Sequence, residues 1–86
     1  MSASTNHLTL VSEDKLKKLG SNIRRVREER GFTQEAFAQE IGLDRAYYGR
    51  IERGLINISA QTIFMLAEAL ETSPRLFFVA VGPHEK

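Results

Sequence analysis

The chain has 86 residues, of which 42% are hydrophobic and 27% charged, with no cysteine and a formal net charge of +1. A chain of this length folds as one small domain with a thin core, which argues against a deep enzyme cleft. Without cysteine it has no disulfide, no cysteine zinc site and no thiol nucleophile, and no apolar run approaches the roughly 20 residues that a membrane span requires.

The N-terminal residues are polar and lack the basic and apolar regions of a secretory signal. We predict a flexible arm over residues 1–11, a folded domain over residues 12–82 and a tail over residues 83–86. The charges are unevenly distributed, because residues 13–30 hold seven bases and four acids. A nearly neutral total is therefore compatible with a polyanionic partner.

The first predicted helix covers residues 13–30. Its apolar residues recur at steps of three and four, which places them on one stripe: Leu16, Leu19, Ile23 and Val26. Ser12 is the expected N-cap, and Gly31 ends the helix. Gly20 costs about 1 kcal/mol relative to alanine inside a helix, so we expect a neighbouring element to pack closely there.

Four shorter helices follow along the chain. Thr33 is the expected cap of the second, over residues 34–41, and Asp44 that of the third, over residues 45–53. Ser59 caps a fourth helix, and Ser73-Pro74 begins a fifth that extends to about Val81. No segment alternates for long enough to form a strand, so the predicted fold is all-α.

Residues 34–53 have the pattern of a helix-turn-helix, in which two short helices are joined by a link that contains glycine. Ala38 is small where the two helices would cross, and Gly42 supplies the positive φ that the turn requires. Five apolar residues would hold the pair against the core: Phe37, Ile41, Leu43, Tyr48 and Ile51.

The third helix has two unlike faces when its residues are projected at about 100° each. One face holds Tyr47, Tyr48 and Ile51, and the opposite face holds Arg45, Ala46, Gly49, Arg50 and Arg53. Small residues let a helix lie deep against another surface, and arginine makes bidentate contacts with guanine O6 and N7. The alternative is a solvated face whose arginines confer only solubility.

Arg27 falls on the apolar stripe of the first helix, where an unpaired guanidinium is costly. We predict a structural ion pair between Arg27 and Glu52, which lies beside Tyr48 on the edge of the third helix. The alternative is that the Arg27 side chain extends to water.

The fifth helix is apolar on all sides and is therefore expected to be buried on both faces. Leu76, Val79 and Ala80 lie on one side, and Phe77, Phe78 and Val81 on the other. We predict that the second side is a homodimer interface, to which the loop residues Leu55 and Ile56 contribute. The alternative is that Phe77 and Phe78 complete the core of a single chain.

The segment from Arg27 to Gly54, REERGFTQEAFAQEIGLDRAYYGRIERG, resembles the Cro/C1-type (XRE-like) helix-turn-helix family of transcriptional regulators. LDRAYYGRIERG, followed by Asn57, is most similar to the controller proteins of restriction–modification operons. The resemblance implies a five-helix bundle of the lambda-repressor-like type. It also implies a homodimer that binds a pseudo-palindromic double-stranded DNA operator, with the third helix in the major groove.

Carried over by position, the resemblance implies that DNA bases are contacted by Arg45, Ala46 and Arg50, with Tyr47 at the groove margin. It implies that phosphates are contacted by Thr33, Gln34, Arg53 and Asn57. Arg24, a basic residue of the first helix, is a further phosphate candidate. Gly49 departs from the family, because many members have a side chain there that can reach DNA, so base recognition is left chiefly to Arg45 and Arg50, with DNA bending contributing.

These features predict a sequence-specific DNA-binding regulator of a restriction–modification operon, located in the prokaryotic cytoplasm and associated with the nucleoid when bound. RNA polymerase is a further expected partner if the protein activates transcription. The alternative is an antitoxin or a phage-type repressor of the same fold that acts partly by binding a partner protein. We expect no enzyme activity, catalytic residue, metal, cofactor, membrane association or small-molecule substrate.

Overall fold

The computed structural model describes the backbone of residues 2–82 and the side chains of residues 13–82. This part of the chain forms four α-helices and one 3-10 helix: α1 (Ser2–Glu29), α2 (Gln34–Glu40), α3 (Arg45–Glu52), α4 (Ala60–Ala69) and the 3-10 helix (Pro74–Phe78). No strand occurs within residues 2–82, so the all-α class is confirmed for them. Met1 and the predicted tail, residues 83–86, lie outside the described residues.

The helical backbone of α1 begins at Ser2, so the prediction that Ser12 caps the first helix is wrong. The sequence has no strong stop signal there, because its first glycine is Gly20 and its first proline is Pro74. Serine and threonine cost only a fraction of a kcal/mol inside a helix. The flexibility of residues 1–11 and a domain boundary after them stay predictions.

The predicted N-caps of α2, α3 and α4 are confirmed. In each case the side-chain oxygen accepts a hydrogen bond from the backbone N–H three residues further on: Thr33 from Ala36 (3.0 Å), Asp44 from Tyr47 (3.1 Å) and Ser59 from Thr62 (3.1 Å). Gly42 adopts a φ of +74° after α2, the left-handed conformation that glycine adopts without a Cβ clash. Local capping and turn chemistry therefore set the lengths of the two helices of the helix-turn-helix.

The predicted fifth helix begins at Ser73-Pro74 as expected, but its predicted type and end are wrong, because it is a five-residue 3-10 helix, Pro74–Phe78, and not an α-helix that extends to about Val81. The buried side chain of Asn22 in α1 explains the difference. Its amide nitrogen donates hydrogen bonds to the carbonyl oxygens of Phe77 (2.9 Å) and Val79 (2.8 Å). These bonds take the place of bonds along a continuing helix, and Ala80 then turns the chain with a φ of +62°.

The core lies between α1 and the other helices. Its buried hydrophobic residues are Leu19, Ile23, Val26, Phe37, Ala38, Tyr48, Ile51, Ile63, Leu66, Ala67, Leu70 and Phe77. The rings of Phe37 in α2 and Tyr48 in α3 meet edge to face, with centroids 5.4 Å apart. Ile41 and Leu43 are half-buried against this core, so the predicted inward side of the helix-turn-helix is confirmed.

Two glycines allow α1 and the end of α3 to approach backbone to backbone. A Cβ atom on Gly20 would overlap the carbonyl oxygens of Ile51 and Glu52, and one on Gly54 would overlap the backbone of Lys17. The close approach predicted at Gly20 is therefore confirmed. Because no layer of side chains separates the two helices, α3 has a fixed position on α1.

Candidate nucleic-acid interface

The outward residues of α3 surround one open cleft, which we name the recognition cleft. It has a volume of about 280 Å³ and is lined by Gln34, Arg45, Ala46, Gly49, Arg50 and Arg53. Tyr48 and Ile51, on the other side of the helix, are buried, and Tyr47 is half-buried against the core. The structure therefore brings Arg45, Ala46, Arg50 and Arg53 together on one face, with Tyr47 at its edge.

The recognition cleft is positively charged. Arg45, Arg50 and Arg53 are exposed, and the ion pairs found among residues 13–82 involve Arg24 and Arg27 instead. Three arginines thus line the cleft without a carboxylate partner among the described side chains. A cleft of one charge sign raises the local concentration of ligands of the opposite sign.

A buried ion pair lies directly behind the recognition cleft. Arg27 Nε lies 2.6 Å from Glu52 Oε2, and Arg27 Nη2 lies 3.1 Å from Glu52 Oε1. The remaining Nη1 of Arg27 donates to the carbonyl oxygen of Phe32 at 2.7 Å. The predicted Arg27–Glu52 pair is therefore confirmed, and the alternative that Arg27 extends to water is wrong.

Glu52 accepts two further hydrogen bonds. The hydroxyl of Tyr48 donates to Oε2, and the side-chain amide of Gln34 donates to Oε1 at 2.9 Å. Both carboxylate oxygens therefore have two donors each, as a buried charge requires. The network connects α1, α2 and α3 through one carboxylate.

The pKa values of the network reflect this arrangement. Burial by itself would raise the pKa of Glu52, but the hydrogen bonds from Arg27, Tyr48 and Gln34 lower it below 4.5, the ordinary value. The hydrogen bond to Glu52 raises the pKa of Arg27 despite its burial. Burial raises the pKa of Tyr48, and so do its hydrogen bond to Glu52 and the negative charge of Glu52. At neutral pH the network thus holds a carboxylate, a guanidinium and a neutral phenol.

A second cleft adjoins the recognition cleft on the side of α1. It has a volume of about 340 Å³ and is lined by Arg24, Arg27, Gln34, Glu52 and Arg53. Gln34 and Arg53 line both clefts. Arg24 is exposed, and its Nε lies 3.1 Å from Glu28 Oε2. Three of the predicted phosphate-contact residues, Arg24, Gln34 and Arg53, are therefore neighbours in the structure.

The other two predicted phosphate-contact residues lie elsewhere. Thr33 is exposed, and its hydroxyl oxygen accepts the hydrogen bond that caps α2. Asn57 is exposed in the loop after α3 and lines a separate cleft of about 410 Å³ with Lys17 and Leu55. The structure thus does not bring Asn57 into the recognition cleft.

The predicted dimer residues divide into three groups. Phe77 is fully buried within the single chain, so its assignment to a dimer interface is wrong. Phe78 is 42% exposed and Leu55 is 59% exposed, whereas Ile56 and Val81 are half-buried against the core. The error arises because Asn22 holds the carbonyl oxygens of Phe77 and Val79, so these residues do not continue an α-helix with Phe77 and Phe78 on one side.

The sequence did not predict the structural roles of two residues, Asn22 and Arg30. Asn22 is fully buried, and its Oδ1 accepts a hydrogen bond from Arg25 at 3.0 Å. Arg30 donates from Nε to the carbonyl oxygen of Leu70 at 2.8 Å, at the end of α4. A signal for Asn22 was present, because it lies three residues after Leu19 and beside Ile23, within the apolar stripe of α1.

Two structural features were found to be absent from the described part of the chain. No helix within them is long and apolar enough for a transmembrane segment. Nor do three or more of their His, Asp and Glu side chains come together in a way that would hold a metal ion.

The sequence matches the family HTH_3, helix-turn-helix, over residues 23–77, which include the recognition cleft and the buried network. The chain belongs to this helix-turn-helix family. Its members are transcriptional regulators. The control protein C.SmaI of Serratia marcescens is 41% identical over 59 residues, which cover 67% of this chain and 70% of C.SmaI.

Solved helix-turn-helix structures are also similar to this chain. The restriction–modification controller protein C.AhdI from Aeromonas hydrophila has a TM-score of 0.69 and 44% identity, over 73% of this chain and 96% of C.AhdI. The controller C.Esp1396I, solved as a tetramer with its natural 35-base-pair operator, has a TM-score of 0.66 and 34% identity. That match covers 78% of this chain and 88% of C.Esp1396I. The similarity to controller proteins that the segment 27–54 indicated is confirmed.

Proposed function

We propose that this helix-turn-helix protein is a sequence-specific transcriptional regulator that controls a restriction–modification operon. The observation that carries the proposal is the recognition cleft, which Arg45, Arg50 and Arg53 line together with Gly49. The similarity to C.SmaI and C.AhdI supports the assignment to restriction–modification control. The protein would act in the prokaryotic cytoplasm, on the nucleoid, and would have no enzyme activity of its own.

In this proposal α3 lies in the major groove of double-stranded DNA. Arg45 and Arg50 then reach guanine O6 and N7, and each bidentate contact contributes roughly 1–3 kcal/mol of discrimination. Ala46 lets the helix approach the base edges, and Tyr47 lies at the groove margin. Thr33, Gln34, Arg24, Arg53 and Asn57 contact the phosphate backbone, which sets affinity and register more than sequence choice.

The protein would bind as a homodimer. One copy has too few base contacts to select a site in a genome, whereas two copies double the site. The exposed Phe78 and Leu55, with Ile56 and Val81 beside the core, would form the interface. Two recognition helices about 34 Å apart would then match a pseudo-palindromic operator, and the operator complex of C.Esp1396I supports oligomeric binding.

DNA selection from a random pool tests this proposal. We expect the wild-type protein to enrich a two-fold symmetric sequence, and its affinity to fall steeply as salt is added. Arg50→Ala should lose the preference for the enriched sequence and keep weak, salt-dependent binding to other duplexes. Lys15→Ala, which removes a positive charge outside the cleft, is the control and should keep the preference.

Two outcomes would contradict the proposal. If the wild-type protein enriches no sequence, it is not a sequence-specific regulator. If Arg50→Ala selects the same sequence with the same affinity, base recognition does not use the recognition cleft. RNA polymerase as a further partner is tested separately, by asking whether the protein raises polymerase occupancy at a promoter that carries the enriched sequence.

A further inference from the structure

Gln34 connects the buried network to the recognition cleft. Its amide nitrogen donates to Glu52 Oε1 at 2.9 Å, and its side chain lines the cleft together with Arg45 and Arg50. The side chain of Glu52 is 2% exposed and carries a charge, so its position is fixed by the network. Gln34 is thus the residue through which the network reaches the cleft surface.

The carboxylate of Glu52 also fixes which end of the Gln34 amide faces outward. A carboxylate only accepts hydrogen bonds, so the NH₂ group of Gln34 must face Glu52 and its carbonyl oxygen must face away. The distances at Gly49 agree with this orientation. A Cβ atom built on Gly49 would lie 3.4 Å from Gln34 Oε1 and 3.7 Å from Gln34 Cδ, so the carbonyl oxygen points toward Gly49.

Arg53 also comes close to Gly49. Its Nη1 also lies 3.4 Å from the position of a Cβ on Gly49, and Arg53 lines both clefts that Gln34 lines. A carbonyl oxygen and a guanidinium nitrogen therefore both lie within 3.4 Å of the same point beside Gly49. A guanidinium donates five hydrogen bonds in a fixed plane, so one bond to Gln34 would set the direction of the others.

We infer that Gln34 is a positioning residue, whose carbonyl oxygen, turned outward by Glu52, accepts a hydrogen bond from Arg53 when DNA is bound and aims that guanidinium at a DNA phosphate. The inference rests on the proposed DNA binding and refines it. Gln34 would contribute through the charge of Arg53 more than through a contact of its own. Gly49 is then the residue that leaves room for the bond.

The salt dependence of DNA binding separates the two roles of Gln34. Each phosphate contact made by a cationic side chain changes the slope of log affinity against log salt by about 0.9. Because the proposed homodimer carries two copies of Arg53, Arg53→Ala should reduce the magnitude of the slope by about twice that amount. Gln34→Ala should reduce it similarly if Gln34 positions Arg53, because the phosphate contact is lost with the orientation. A neutral glutamine that contacts phosphate on its own would lower the affinity and leave the slope unchanged.

The measurement uses the full chain and duplex DNA enriched from a random pool by the wild-type protein. We expect the double variant Gln34→Ala/Arg53→Ala to bind no more weakly than Arg53→Ala, within about twofold. Gln39→Ala, an exposed glutamine on the same helix, is the matched control and should keep the wild-type slope. Gln34→Met, which keeps the length of the side chain without the amide, is a second variant if Gln34→Ala does not fold.

A wild-type slope in folded Gln34→Ala or Gln34→Met, or additive affinity losses in the double variant, would overturn the positioning role alone. Absence of salt-dependent binding by the wild-type protein would overturn the proposed function itself.

Discussion

Gly49 lies next to both Gln34 and Arg53 in the recognition cleft. A Cβ there would make ordinary contacts of 3.4 Å with Gln34 Oε1 and Arg53 Nη1, and alanine favours a helix by about 1 kcal/mol over glycine. We therefore expect Gly49→Ala to melt at the wild-type temperature or above it. The methyl group would nevertheless fill the floor of the recognition cleft.

The same substitution should weaken DNA binding by about tenfold, which is about 1.4 kcal/mol. The methyl group separates Gln34 from Arg53 and keeps α3 further from the base edges. Thermal unfolding and titration of the enriched duplex measure the two effects on one sample. If a folded Gly49→Ala protein binds the duplex with wild-type affinity, DNA binding does not require the absence of a side chain at this position.

Glu52 makes stability depend on pH in the acid range. The folded state lowers its pKa below 4.5 through hydrogen bonds from three side chains, so the unfolded chain takes up a proton at a higher pH than the folded chain. The stabilisation is complete above pH 4.5 and is lost as the pH falls through the lower, folded pKa. We expect the free energy of unfolding to decrease over that interval.

Glu52→Gln tests this assignment. It leaves the Arg27 guanidinium buried without a counter-charge, which typically costs about 3–5 kcal/mol at neutral pH. The variant should be less stable at pH 7 and lose less stability than the wild-type protein between pH 5 and pH 2. Denaturant titrations at several pH values measure the free energy of unfolding of both proteins. If the two free energies fall in parallel as the pH is lowered, the acid sensitivity comes from other carboxyl groups.

At the scale of elements, the contact between α1 and α3 depends on Gly20. A Cβ there would overlap backbone atoms of Ile51 and Glu52, which do not move aside as a flexible side chain does. Overpacking of this kind costs about 1–3 kcal/mol, so Gly20→Ala should lower the free energy of unfolding by that amount. Gly49→Ala, the same change at a helical glycine with room, is the control. Equal stabilities of the two variants would mean that α1 and α3 are not held this closely.

At the scale of the whole molecule, the surface around the 3-10 helix should decide the oligomeric state. Phe78 and Val79 are 42% and 47% exposed, and a buried phenylalanine contributes roughly 1.5–3 kcal/mol. We expect Phe78→Ser to remain folded and to dissociate to a monomer that binds the enriched duplex more weakly. Sedimentation equilibrium measures the change in mass.

Phe64→Ser provides the comparison, because Phe64 is exposed on α4 outside the proposed interface. It should keep the wild-type mass. Dissociation of Phe64→Ser together with an unchanged dimer in Phe78→Ser would move the interface to α4.

The sequence alone determined the features that act over one or two helical turns. Thr33, Asp44 and Ser59 cap their helices because the capping oxygen and its donor are three residues apart. The sequence also predicted the family, because the helix-turn-helix requires specific residue types within twenty positions. Arg27 and Glu52, 25 residues apart, could be paired because a charge on an apolar stripe needs a partner.

Only the tertiary structure decided the end of the domain and the arrangement inside the site. Asn22 meets Phe77 across 55 residues, and that contact replaces the predicted α-helix by a 3-10 helix and buries a predicted interface residue. The orientation of Gln34 likewise follows from Glu52, 18 residues away. Neither contact has a local pattern, because a buried amide takes whichever partner the packing of distant segments brings within hydrogen-bond distance.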